Sequence, residues 1–187
     1  MMSLPPELQS ALLDRRVVFL RGRLDAATAN SVIAQLLLVA RTAAGRTIEL
    51  YVDSPGGSLA AALSVYDVLH ASANAVSTTC IGTVGGASVL VLAGGTKGVR
   101  FALPHARIHL MPETVEVAVG QPRQTGSQAD EAVRLHARWQ AALEQHIAQS
   151  AAQLAHDLTA SRWLSAAEAR DYGLVDGIVP ARPASPG

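Results

Sequence analysis

Thr47-Ile48-Glu49-Leu50-Tyr51-Val52-Asp53-Ser54-Pro55-Gly56-Gly57-Ser58 reads as a strand that runs into a tight turn and opens a helix. The β-branched and aromatic residues up to Val52 favour extended chain, and Pro55-Gly56-Gly57 breaks it. The apolar run beyond Ser58 continues as a helix to about Leu69. On the N-terminal side, Arg16-Val17-Val18-Phe19-Leu20 is a strand, and Asp25 is a good N-cap for the helix after it. There Ala29, Val32, Ile33, Leu36, Leu37 and Ala40 recur at helical spacing until Gly45. On the C-terminal side, Val76 to Ile81 is a third strand, followed by a glycine-rich turn and a helix to about Ala93. Strand and helix alternate, which is the pattern of parallel βαβ units in an α/β domain.

Val99 to Leu103 and Arg107 to Met111 read as two more strands on either side of Pro104. Val115-Glu116-Val117-Ala118-Val119 alternates like an exposed strand, and Gly120 to Gly126 is a flexible stretch. Gln128 to about His156 predicts one long Ala-, Gln- and His-rich helix. Ser165-Ala166-Ala167-Glu168 is a capping box for a short helix before Gly173-Leu174-Val175-Asp176. The expected organisation is an N-terminal arm over 1–11, one domain over 12–179 and a flexible Pro/Ser tail over 180–187.

Of the 187 residues, 49% are hydrophobic and they are spread along the chain, which predicts a globular protein with a sizeable core. No apolar run reaches the roughly 18–20 residues of a membrane helix, so no membrane association is expected. Met1 to Ser10 lacks the basic-then-apolar pattern of a signal peptide. The single cysteine, Cys80, excludes an intrachain disulfide and fits a reducing cytoplasm. With 15 basic and 15 acidic residues and no basic run, nucleic acid is an unexpected partner. Lys97 is the only lysine, and alanine is abundant, as in chains from G+C-rich bacteria. His70, His105, His136, His146 and His156 show no metal-ligand spacing, and neither a metal nor a cofactor is expected.

Five blocks in order resemble the Clp protease proteolytic subunit family. They are Leu13 to Leu20, Ala29 to Leu37, Ser54-Pro55-Gly56-Gly57-Ser58, Cys80-Ile81-Gly82 through Gly95-Thr96-Lys97-Gly98 to Pro104, and Leu164 to Ala169 with Tyr172 to Asp176. The resemblance covers roughly Leu12 to Val179. It implies the α/β fold of the Clp protease and crotonase type, repeated βαβ units with a protruding strand and long-helix handle, here over about 115–156. It also implies a compartment protease: subunits form rings that stack through the handles, alone or with a catalytic paralogue, and a Clp ATPase feeds chains inside. The pore-lining N-terminal segment of such subunits is longer than Met1 to Ala11.

The same resemblance places the catalytic positions. The nucleophilic serine falls at Gly86, the histidine at Met111 and the aspartate at Ser161. An arginine that often joins rings falls at Ala160. Glycine offers no nucleophile, and a thioether takes no proton at neutral pH. The expectation is therefore a subunit with no intact Ser–His–Asp triad. The oxyanion donors fall on the backbone of Gly57 and Ala87, where side-chain loss leaves N–H groups in place. The glycines there serve equally for tight strand-to-helix turns.

Three functions stay open at this point. The first is a non-catalytic subunit that shapes or regulates a mixed Clp complex. The second is a diverged serine endopeptidase built on Ser88, His109 and Asp157. In that case Ser88 has to turn about 200° on its helix, and His109 sits about 6–7 Å from the expected base. The plainer reading makes Ser88 a locally bonded helix residue, His109 a strand histidine and Asp157 a helix-end charge. The third is an acyl-CoA enzyme of the crotonase type, with Asp53 the nearest acid to the glycine turns.

Overall fold

The computed structural model of the chain describes residues 5–42, 45–112 and 122–180, with the backbone alone over 122–128. The first elements are α1 (Pro6–Asp14), β1 (Val17–Arg21), α2 (Ala26–Thr42), β2 (Ile48–Ser54), α3 (Leu59–Ala71) and β3 (Val76–Gly85). The rest are α4 (Ser88–Ala93), β4 (Arg100–Ala102), β5 (Arg107–Leu110), α5 (Pro122–Glu144), α6 (Ala151–Thr159), β6 (Arg162–Ser165), α7 (Ala166–Tyr172) and β7 (Gly177–Ile178). The seven strands form one sheet with the order β1-β2-β3-β4-β7, all parallel along that path. None of the described helices is long and apolar enough to cross a membrane.

The core follows from the sequence pattern. Ala29, Val32, Leu36 and Val39 form the buried stripe of α2, and Leu59, Ala62, Val65, Tyr66 and Leu69 that of α3. Both stripes pack with the inward residues Val18, Leu20, Leu50 and Val52 of β1 and β2 in one cluster. α4 is buried at all six positions, as its uninterrupted apolar sequence requires. Asp25 caps α2 by accepting from Thr28 N at 2.8 Å, and that bond lowers its carboxyl pKa. Ser58 caps α3, and Ser165 and Glu168 form the capping box of α7.

β3 changes partner part-way along, and this split positions the site. Thr78 to Cys80 pair with β4, while Thr83 to Gly85 pair with β5. Gly82 lies at the split, where a Cβ would stand 2.6 Å from Asp53 Oδ1. Asp53 accepts from Thr83 N at 3.0 Å and ties β2 to the second half of β3 across a register shift. The strand thus continues four residues beyond the Ile81 expected from sequence.

The structure differs from two further expectations. The long helix over 128–156 is two helices: α5 stops at Glu144, and Ser150 caps α6 by accepting from Gln153 N. Ala-rich composition gives no stop signal there; the break is made by contacts that take the turn away from a helix. Ala148 N donates to Tyr172 O, and the His146 carbonyl accepts from Arg100 Nη1. The strand expected through Met111 ends at Leu110, because β6 pairs antiparallel with β5 only over Arg107 to Leu110. β6 itself was not expected. The exposed strand over Val115 to Val119 lies outside the described residues.

Candidate active site

The carboxyl ends of β2 and β3 bring two glycine turns side by side. After β2, Pro55-Gly56-Gly57 folds against Leu24: Leu24 N donates to Gly56 O at 2.9 Å, and Ser58 N donates to Leu24 O at 2.7 Å. Gly57 has φ 152°, and any Cβ there would overlap the Leu24 carbonyl, so this turn requires glycine. After β3, Gly86 has φ 45° and turns the chain into α4. A strand-to-helix elbow at positive φ is the shape that presents a nucleophile in other hydrolases. Here the residue at the elbow has no side chain. Gly85, just before it, would place a Cβ 2.9 Å from Pro55 O, so the two turns touch.

Ser88 lies two residues past the elbow and is fully buried. Its Oγ sits 2.7 Å from Ser54 Oγ, and Gly56 N reaches the same Ser54 hydroxyl at 3.4 Å. The bond joins residues 34 positions apart, so the partner is not the local one expected for a helix serine. It fastens the elbow helix to the Pro-Gly-Gly turn. Ala87 is also buried, and its carbonyl accepts from the Trp139 indole at 3.1 Å, which seats α5 on the elbow.

His109 lies on β5 opposite Gly85, and its carbonyl accepts from Gly86 N at 3.1 Å. Its ring stacks on Trp163 of β6, with centroids 4.0 Å apart and planes 12° from parallel. Its Nε2 is 2.7 Å from Ser161 Oγ. Ser161 has φ 54°, a conformation that costs a non-glycine residue about 1 kcal/mol or more. It occupies the left-handed position that ends α6, where Ser161 N donates to Leu158 O. This Ser161–His109 pair escaped the sequence reading, because it depends on β6 carrying the end of α6 back beside β5. Met111 falls just past the end of β5 and is partly exposed.

Asp157 is buried, contrary to the expectation of a helix-end charge. It accepts from Tyr172 Oη at 2.9 Å, Gln153 Nε2 at 3.0 Å and Arg162 Nη1 at 3.2 Å. Burial and this carboxylate together push the Tyr172 hydroxyl pKa up. Ser88, His109 and Asp157 therefore each have a different partner, and no hydrogen bond found among the described residues links the three. Asp53 is engaged with the β3 backbone.

No group of three or more His, Cys, Asp or Glu able to hold a metal ion occurs among the described residues. Burial pushes the Cys80 thiol up to about 12, which leaves it unreactive. Two cavities border α2, and neither is lined by Gly85, Gly86 or Ser88. One, of about 210 Å³, lies between α2 and α3 beside Leu37, Ala40, Val68 and Leu69. The other, of about 780 Å³, lies between α1, β1 and α2 beside Gln9, Phe19, Arg21 and Ser31.

A family model described as Clp protease matches residues 6–182. The chain belongs to the Clp protease family. A Clp protease proteolytic subunit-like protein of Streptomyces coelicolor is 44% identical over 182 residues, spanning 95% of this chain and 86% of that protein. Clp protease proteolytic subunit 1 of Thermobifida fusca is 34% identical over 93% of this chain and 78% of its own length. Subunit 2 of Corynebacterium glutamicum is 36% identical over 90% of this chain and 83% of its own length. The mostly parallel seven-stranded sheet with flanking helices is the architecture of a Clp protease subunit.

Proposed function

We propose that this Clp protease-family chain is a non-catalytic subunit of a ring-shaped, ATP-dependent Clp complex, in which it shapes or regulates rather than cleaves. The observation that supports this reading is the elbow: Gly86, the position the family resemblance gives to the nucleophile, turns β3 into α4 at φ 45° and carries no side chain. Met111 and Ser161, at the base and acid positions of the resemblance, agree with it, since a thioether takes up no proton at neutral pH and a neutral hydroxyl brings no charge to stabilise an imidazolium. His109 is held by Ser161 and Trp163, and Ser88 by Ser54, so neither is poised to replace them. The partners are a second Clp protease subunit with an intact triad and, through it, a Clp ATPase. The compartment is a reducing cytoplasm, in keeping with one buried free thiol.

The family resemblance assigns Gly57 and Ala87 as backbone donors toward a peptide carbonyl. Their two turns are joined by the Ser54–Ser88 bond. No observation on the described residues favours the crotonase-type reading.

Co-expression with a catalytic Clp subunit from the same genome tests the proposal. Native mass spectrometry should find mixed rings in which this chain contributes no serine-reactive site. A monomer that never enters a ring with that partner would overturn it.

A further inference from the structure

We propose that Tyr66, His70 and His146 form an acid-sensitive latch that holds the α5–α6 turn to α3 and releases it when His146 gains a proton. The three rings sit together away from the glycine turns. Tyr66 Oη is 2.9 Å from His146 Nε2, and His70 Nδ1 donates to the Tyr66 carbonyl at 3.0 Å. The His70 and Tyr66 centroids are 4.1 Å apart, and His146 lies 5.6 Å from each. His146 stands in the turn that divides α5 from α6, so its ring adds a side-chain tie to α3 beside the backbone contacts of that turn with Arg100 and Tyr172.

The surroundings favour a neutral ring at His146. Its own carbonyl accepts from Arg100 Nη1 at 3.4 Å, and Arg100 is buried with its charge 2.7 Å from Asp176. Lys97 and His70 add positive potential from the α4–β4 loop and from α3. Among the acids of the neighbouring elements, Asp176 is already bound by Arg100, Glu144 accepts from Gln140 Nε2, and Asp67 acts on the Tyr66 hydroxyl. Burial first, then His70, Arg100 and Lys97, hold the His146 pKa down to about 4 from its ordinary 6.5. Protonation does not itself break the Tyr66 bond, because the phenol oxygen can accept as well as donate. The destabilisation comes from placing a charge in a half-buried pocket already ringed by positive groups.

The sign follows from linkage. The open turn binds its proton at the ordinary value and the closed turn only near pH 4. Closure is therefore at full strength above pH 6.5 and weakens as the pH falls from 6.5 to about 4. Across that window the opening equilibrium should rise on the order of a hundredfold. The latch stands whether or not the chain forms rings.

Native-state hydrogen exchange of the full chain at pH 7.5 and pH 4.5, corrected for intrinsic rates, reads the opening of residues 144–150 directly. Wild type should show the hundredfold increase there, and His146→Gln, which keeps an acceptor for Tyr66 but cannot titrate, should show none. His70→Gln should give a smaller increase, because it removes one of the charges that lower the His146 pKa. An undiminished acid response in His146→Gln overturns the proposal. So does an ordinary pKa of 6.5 for His146 in an NMR titration of wild type, which needs no variant to fold.

Discussion

Ser161 Oγ lies 2.7 Å from His109 Nε2, so the histidine beside the glycine elbow is bound by a neutral hydroxyl where a working triad needs a carboxylate. A hydroxyl can orient an imidazole, but it brings no charge to stabilise the imidazolium that forms during acyl transfer. The pair also stitches the strained end of α6 to β5.

Rebuilding the chemistry therefore requires displacing that pair. Gly86→Ser, Met111→His and Ser161→Asp together should give partial acylation by a fluorophosphonate probe, and no single change should, because the triad acts as a unit. A serine at φ 45° costs about 1 kcal/mol. His109 would also compete for the new carboxylate, so adding His109→Leu should raise the labelling rate several-fold. A folded fourfold variant that stays inert would show that the elbow has lost its catalytic geometry along with its side chains.

The Ser54–Ser88 bond makes a separate prediction. Ser88→Ala removes the 2.7 Å partner of the buried Ser54 hydroxyl, leaving the 3.4 Å contact from Gly56 N, and should lower stability by about 1–2 kcal/mol. Urea unfolding measures this. An unchanged midpoint would mean that the two turns are not fastened by this contact.

Arg100 and Asp176 set the behaviour in acid. Burial alone would raise the Asp176 pKa, but the hydrogen bonds and charge of Arg100 prevail and hold it below the ordinary carboxylate value. Its contribution is present above the unfolded pKa near 3.8 and is lost as the pH falls through the lower folded value. Asp176→Asn leaves the Arg100 guanidinium buried without its counter-charge and should cost about 3 kcal/mol at pH 7. The gap to wild type should narrow as the pH falls below 3.8 and Asp176 takes up its proton. A gap that does not narrow in acid would assign the loss to packing instead.

The βαβ pattern from Arg16 to Ala93 was legible because period and punctuation agree there: alternating or continuous apolar strands, amphipathic helices, and Asp25, Ser58 and glycine turns between them. β6 was not legible. Arg162-Trp163-Leu164-Ser165 is four residues long and runs straight into a capping box, so only its pairing with β5 identifies it. The break after Glu144 was hidden for a related reason, since Tyr66 and Arg100, both far away in sequence, hold the turn. That a glycine stands where the resemblance expects the nucleophile could be read from spacing. The capture of His109 by Ser161 could not, because it is a product of the β5–β6 register.

Assembly should depend on α5. Val133 is 69% exposed on that helix, a large apolar side chain in water. Val133→Arg should shift the chain toward monomer in sedimentation by at least tenfold in dissociation constant, with no loss of monomer stability. Unchanged assembly would place the interface elsewhere.

The absence of peptidase chemistry is tested on the purified chain at pH 7.5 with a fluorogenic small peptide and a fluorophosphonate probe together. A non-catalytic subunit should show no turnover above buffer and no labelled serine by mass spectrometry. Steady hydrolysis that is abolished by Ser88→Ala or by Ser161→Ala would contradict it.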